Sequence, residues 1–182
     1  MEITVREDDD PVFSELVSRA RFEPTGDRHV TTWMPASERR EIAPLPKGFK
    51  LVSRDDGSSR PHHMVARNGE RVAELLAECS LYRPELDLAV FAPSGDLAGY
   101  ALFWADPVTG VGLVEPMRVE DEFQNMRLGR HLLGAGLERL AQGGCSQLKV
   151  SFVEENEPAR RLYLGAGFSP QYEDETFRLQ PS

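Results

Sequence analysis

At 182 residues, 40% of them hydrophobic and 28% charged, the chain has the size and composition of one ordinary folded domain, or of one domain with a fragment of another. A net charge of -9 argues against a nucleic-acid partner, since that binding draws mainly on Lys and Arg contacts to phosphate. No apolar run approaches the ~18 residues a membrane span needs, and the acidic opening MEITVREDDD is unlike a signal peptide, so a soluble cytoplasmic protein is expected. The acidity suits a cationic substrate, although solubility explains it equally well.

The first predicted elements already pose a question. Residues 2–25 (EITVREDDDPVFSELVSRARFEPT) parallel residues 147–170 (QLKVSFVEENEPARRLYLGAGFSP). Each gives a short apolar strand, an acidic run, a proline opening a helix, then Phe and a second proline two residues on. RHVTTWM (28–34) would be the matching last strand. Either this is chance or residues 1–44 are the tail of a first copy with its linker, and residues 45–182 are the domain proper. PASERREIAPLP (35–46), polar and proline-bearing, reads as that linker. The strands of the tail then need a partner sheet on this chain or a neighbour, and such an orphan unit points to a homodimer.

GFKLVSR (48–54) reads as a strand, and SRDDGSSRPHH (53–63) as a polar loop that either borders a substrate pocket or is a surface linker. HHMVARNGERVAELLAECS (62–80) gives one or two helices. His62 and His63 are expected to be solvated at the helix start, with no third metal partner nearby, and no metal is called for. Cys79 and Cys145 show no CxxC or His-spaced pattern and are expected to be reduced and buried. LDLAVFAP (86–93), LAGYALFWAD (97–106) and VGLVEPMRVE (111–120), joined by short turns, form an antiparallel meander. Their near-continuous apolar character calls for helices as cover.

From Leu128 the apolar positions (Leu132, Leu133, Leu137, Leu140) recur with helical period until Gly143-Gly144. QLKVSFV (147–153) is the next strand, and strand–helix–strand is a parallel crossover, so the sheet is mixed. In ENEPARRLYLGAGF (155–168), Asn156 or Glu157 can cap and Pro158 suits the first turn. Ala159, Leu162, Tyr163 and Ala166 share a face, and Gly167 ends the helix. A last strand lies near ETFRL (175–179). Tyr163 is either a core aromatic or a hydroxyl aimed at a reaction.

FQNMRLGRHLL (123–133) joins a strand to a helix N-terminus, where orphan N–H groups and a partial positive charge suit an anion. Arg127 and Arg130 add full charges, and Gly129 admits close backbone approach.

QNMRLG before the long helix, and N-x-x-A-x-x-L-Y-x-x-x-G-F after the next strand, resemble the motifs of the GNAT superfamily of acetyl-CoA-dependent N-acetyltransferases. Gln124 and Gly129 match the first motif; Asn156, Ala159, Leu162, Tyr163, Gly167 and Phe168 match the second. The resemblance covers roughly residues 47–180, and it makes residues 1–40 similar to the last third of another such domain, as in tandem members. It departs at Arg127, where the family has a glycine: the side chain could crowd the pyrophosphate or bind it.

The resemblance implies a mixed α/β fold, with a central, mostly antiparallel sheet, a splayed parallel pair and helices on both faces. The co-substrate is acetyl-CoA and the acceptor a primary amine. The amides of Asn125, Met126, Arg127, Leu128, Gly129 and Arg130, with Gln124, would cradle the pyrophosphate. The main chain at Met117 and Val119 would pair with the pantetheine, and Asn156 would hold it from the other side. Tyr163 would protonate the departing thiolate. Glu115, a carboxylate interrupting an apolar strand, is the candidate base, against the alternative of a Glu on the solvated side of that strand. A different class of reading keeps the fold and drops turnover: a degenerate module that binds CoA or serves as a structural partner.

Overall fold

The computed structural model describes residues 2–6, 15, 19–56 and 60–179. The helix expected after Pro11 lies mostly outside these residues, as does the centre of the loop 53–63. The class is mixed α/β. Strands β1 (Glu2–Arg6), β2 (Phe22–Pro35), β3 (Lys50–Ser53), β4 (Asp87–Phe91), β5 (Leu97–Asp106), β6 (Val111–Val119), β7 (Gln147–Val153) and β8 (Ser169–Leu179) are joined with helices α1 (Val65–Asn68), α2 (Val72–Glu78), α3 (Leu128–Gln142) and α4 (Glu157–Ala166). The chain forms two compact units, residues 1–33 with 149–182, and residues 34–148.

In the first unit the strand order is β1-β8-β2-β7. β8 pairs antiparallel with β1 (Ile3 opposite Phe177) and with β2 (Val30 opposite Glu173). Buried threonines tie β2 to β7: Thr32 Oγ1 donates to Val150 O at 2.9 Å, and Thr31 and Ser151 hydroxyls meet at 2.8 Å. The N-terminal strands therefore find their partner sheet on this same chain, and no second chain is needed to complete them. α4 starts where Asn156 Oδ1 accepts from Ala159 N at 3.1 Å, and it stops at Gly167, whose φ of +114° is the left-handed turn a glycine makes without strain.

The second unit has the order β6-β5-β4-β3, all antiparallel. One face is covered by α1 and α2, with Met64, Val72, Ala89 and Tyr100 in one apolar cluster. α3 covers the other, burying Leu128, Leu132, Leu133, Leu137 and Leu140, the stripe its period announces. Gly136 lets α3 approach so closely that an added Cβ would fall 1.9 Å from the Phe103 ring of β5.

The segment read as a linker is a strap laid along α3. Ala36 N donates to Ser146 O at 2.9 Å, Arg39 Nε to Glu138 Oε2 at 2.7 Å, and His131 Nδ1 to Ala43 O at 2.6 Å, with Ile42 against Gly134 between them. Cys145 is buried as expected, but Cys79, at the end of α2, is exposed: α2 is short and buries only Val72. Among the described residues no helix is long and apolar enough to cross a membrane.

Candidate functional site

The residues singled out by sequence divide between the units: Glu115, Met117, Val119 and 124–130 in the second, Asn156 and Tyr163 in the first. On β6 the pairing with β5 slips between Val114 (opposite Phe103) and Met117 (opposite Ala101), so three steps on β6 face two on β5. The extra residue makes a bulge at Glu115-Pro116, whose peptide is cis. Trp104 Nε1 donates to Glu115 O at 2.6 Å and pins the bulge. The Glu115 side chain is exposed, so the argument that a carboxylate there must pay for its burial does not hold, and its candidacy rests on position. Met117 and Val119 are half-buried.

Beyond β6 the chain turns through Asp121–Phe123 into the loop. Gln124 Nε2 donates to Asp121 Oδ1 at 3.1 Å, so this glutamine braces the loop from within. Leu128 is buried and anchors the first turn of α3, whereas Gln124, Asn125, Met126, Arg127 and Arg130 are exposed and Gly129 is half-buried. The bond His131 N to Arg127 O, at 3.3 Å, opens the helical ladder, so the amides of Leu128, Gly129 and Arg130 precede it as orphan donors. Arg127 has φ 64° and ψ 9°, and Asn125 has φ 63°. The position where the resembling motif carries glycine is thus left-handed here, at a cost of ~1–2 kcal/mol for a residue with a Cβ. Arg127→Gly should relieve that strain against the greater entropy of an unfolded glycine, raising stability by ~0.5–1 kcal/mol in denaturant titration.

Glu120 and Asp121, in the acidic turn after β6, are partnered. Glu120 accepts from Arg67 at 2.9 Å and Arg118 at 3.2 Å, and Asp121 from Arg118 at 3.1 Å. Burial pushes the Glu120 carboxyl up, but the two guanidinium hydrogen bonds outweigh it and hold the group below its ordinary value. This net ties α1 to the end of β6, beside the loop.

In the first unit Tyr163 is 7% exposed, its ring 5.8 Å from that of Phe152 and edge-on to Phe168 at 6.3 Å. Asn156 is exposed, and its cap uses Oδ1, which leaves the side-chain NH2 as the group with donors to offer a ligand.

The structure also brings together a group the sequence reading dispersed. His62 and His63 are not solvated: their side chains are 1% and 5% exposed and both reach Asp87, which is fully buried at the start of β4. Asp87 Oδ2 accepts from His62 Nε2 at 2.8 Å and from Tyr82 Oη at 2.7 Å. His63 Nε2 lies 2.9 Å from Oδ1, within ion-pair distance but bent away from a well-aligned hydrogen bond, and His63 stacks between His62 and Tyr100. Burial would raise the Asp87 carboxyl, but the hydrogen bonds from His62 and Tyr82, with the His63 ring nitrogen close to Oδ1, win and hold it well below the carboxylate range. Burial, and donation to Asp87, push the Tyr82 hydroxyl well above the ordinary phenol value, so it stays protonated.

The three ligand-type atoms lie within 4.8 Å of one another, a spacing a metal could span. The tautomer argues otherwise. His62 Nδ1 accepts from Met64 N at 3.1 Å, so the ring's one hydrogen is on Nε2 and is spent on Asp87. Arg54 and Arg60 line the adjoining hollow and would repel a cation. The cluster is hydrogen-bonded. Sequence reasoning missed it because 25 residues separate His62 from Asp87 and no fixed spacing marks such a pair.

Residues 45–168 match the sequence profile described as the acetyltransferase (GNAT) family. No curated protein sequence matches. Among solved structures, a GCN5-related N-acetyltransferase from Sphaerobacter thermophilus is similar over 97% of this chain and 58% of its own, with TM-score 0.75 and 16% identity. A tandem GNAT protein from the clavulanic acid biosynthesis pathway is similar over 100% of this chain and 64% of its own, with TM-score 0.74 and 16% identity. A GCN5-related N-acetyltransferase from Kribbella flavida gives TM-score 0.67 and 13% identity, over 100% of this chain and 68% of its own. At such identities the likeness is one of fold. The chain spans 58% and 64% of the length of the first two.

Proposed function

Because the chain belongs to the acetyltransferase (GNAT) family, we propose that it transfers an acetyl group from acetyl-CoA to a primary amine by direct attack through a tetrahedral intermediate. The observation that carries this reading is the loop before α3: orphan amides at Leu128, Gly129 and Arg130, with the exposed cations Arg127 and Arg130, suit a pyrophosphate. Gln124, Asn125 and Met126 complete the proposed cradle. The main chain at Met117 and Val119 would take the pantetheine as a strand takes a strand, and the NH2 of Asn156 would donate to it. The amide near Val119 would serve the oxyanion.

For the chemistry, Tyr163 is the proposed donor to the departing thiolate and Glu115 the proposed base that frees the amine's lone pair. Replacing Glu115 with Gln is expected to flatten the acid limb of the pH–rate profile; a limb that persists would remove Glu115 from this role. We read residues 1–44 as the end of a second copy, the acceptor as a small cationic amine or a peptide or protein amine, and the setting as cytoplasmic. The second reading, a module that has lost turnover, is favoured by one observation, the left-handed Arg127 in the loop.

Calorimetric titration with acetyl-CoA, and separately with free CoA, tests the cradle. A micromolar Kd, ~8 kcal/mol, is expected. No heat from a folded sample would mean that the loop does not hold a pyrophosphate, and the enzyme reading would fall.

A further inference from the structure

An ammonium that becomes an amide nitrogen sheds two protons, and a single exposed carboxylate accounts for one of them. The cluster around Asp87 stands on the same sheet as Glu115. Asp87 lies opposite Leu102, and Leu102 lies opposite the Glu115-Pro116 bulge, so the two carboxylates occupy one row two strands apart, about 10 Å along the sheet. The His63 ring lies over that of Tyr100 on β5, the strand between the two, with centroids 5.1 Å apart. Tyr100 in turn pairs with Arg118 of β6.

We propose that His63, oriented by Asp87, takes the second proton that the acceptor nitrogen must lose. The inference rests on the acetyl-transfer reading above and adds a residue to it. Asp87 Oδ2 is filled by His62 and Tyr82, while Oδ1 and His63 Nε2 are buried, 2.9 Å apart and, among the described residues, without another hydrogen-bond partner. A buried carboxylate oxygen claims the hydrogen on that nitrogen, and the free lone pair of the ring is then on Nδ1. His62 is neutral and fully spent, so it orients and takes up nothing. An imidazole also suits proton transfer near neutral pH better than a carboxylate does.

The groups around His63 are Arg54, Asp56 and Arg60 at the adjoining hollow, Asp87 on β4, Tyr82 before it, and Tyr100 on β5. Beyond Tyr100 lie Arg67, Arg118 and Glu120, whose charges bear on its hydroxyl.

The steps balance. The ammonium gives one proton to Glu115, and its lone pair forms the C–N bond at the thioester carbonyl, leaving positive nitrogen and negative oxygen. That nitrogen passes its second proton, directly or through one water, to His63 Nδ1. The carbonyl re-forms, the C–S bond breaks, and the thiolate takes the proton of Tyr163. Glu115 and His63 discharge to solvent and the tyrosinate refills from it, so one proton is released per turnover.

The test is kcat against pH at saturating acetyl-CoA with an alkylamine, a polyamine, an aromatic amine and an amino sugar, alongside acetyl-CoA calorimetry. His63→Gln should lower kcat by ~10² or more and abolish one limb of the kcat–pH profile, without changing acetyl-CoA affinity. Free imidazole should restore part of the rate to His63→Ala, as it would not for a structural role. Tyr82→Phe removes one donor from Asp87, so the more negative carboxylate should move the limb to higher pH with the fold retained. A wild-type rate and limb in His63→Gln, or a limb unmoved in Tyr82→Phe, overturns the proposal and leaves the acetyltransferase reading standing. Wild-type protein that binds acetyl-CoA and acetylates none of the four amines overturns both.

Discussion

Replacing Tyr163 with Phe is expected to cut turnover by ~10²–10⁴ while acetyl-CoA affinity and thermal stability stay close to wild type. The ring is held by Phe152 and Phe168 at 5.8 and 6.3 Å, and a phenylalanine keeps both contacts, so the substitution removes a hydroxyl and little else. The chemistry sets the size of the effect. A thiol has a pKa of ~8.5 and a phenol ~10, so a tyrosine can hand its proton to a leaving thiolate as the C–S bond stretches. If the hydroxyl serves only the packing of the first unit, the same change should instead lower stability by ~1 kcal/mol and leave kcat alone. Turnover and unfolding measured on one sample separate the two. A thioester with a more acidic thiol should also shrink the rate penalty, since such a leaving group needs less help.

The largest stability effect is expected at Gly136. An interior helical glycine ordinarily invites replacement by alanine, worth ~1 kcal/mol. Here the added Cβ would sit 1.9 Å from Cζ of Phe103 and 2.2 Å from both Cε atoms. Phe103 is fully buried on β5, so its ring has nowhere to turn without displacing neighbours. Gly136→Ala should therefore destabilise by about 3 kcal/mol, the upper end for overpacking, lowering the unfolding midpoint by roughly 6–12 °C in a protein of this size. Two comparisons sharpen the test. Gly165→Ala in α4 meets nothing within 4 Å and should be neutral or stabilising. Phe103→Leu combined with Gly136→Ala should recover stability beyond the sum of the single changes, because the two sites share one contact. A Gly136→Ala protein as stable as wild type would mean that α3 does not lie as close to β5 as described.

Much of this fold is written in local pattern. The apolar run 97–106 is β5 residue for residue, 147–153 is β7, and the stripe beginning at Leu128 is α3. Asn156, Pro158 and Gly167 mark α4 because capping chemistry involves neighbours in sequence. Local pattern failed where strands are held by distant partners. β8 begins at Ser169, not near Glu175, since the polar run 172–175 carries no alternation and owes its extended form to pairing with β2 and β1 on either side. The loop before α3 could be read as a candidate anion site because any strand–helix junction offers orphan amides, whereas the left-handed Arg127 was not legible. A backbone angle that residue type disfavours is imposed by the surrounding turn. The Asp87 cluster was the least legible. Asp87 reads as one charge at the mouth of a strand, and only the fold supplies Tyr82 and His62 as its hydrogen-bond partners and brings His63 beside it.

The strap along α3 bears on the order in which the protein assembles. Its side-chain bonds join residues 99 and 88 positions apart, Arg39 to Glu138 and His131 to Ala43. Closing so long a loop costs entropy that a few hydrogen bonds repay only after α3 and the sheet beneath it exist. The strap is thus a late-forming, early-fraying element, and amide hydrogens of residues 36–44 should exchange well before those of α3. Because its far end leads, through Phe49 edge-on to Phe123, to the turn before the loop that opens α3, loosening of the strap would reach that loop without any global unfolding.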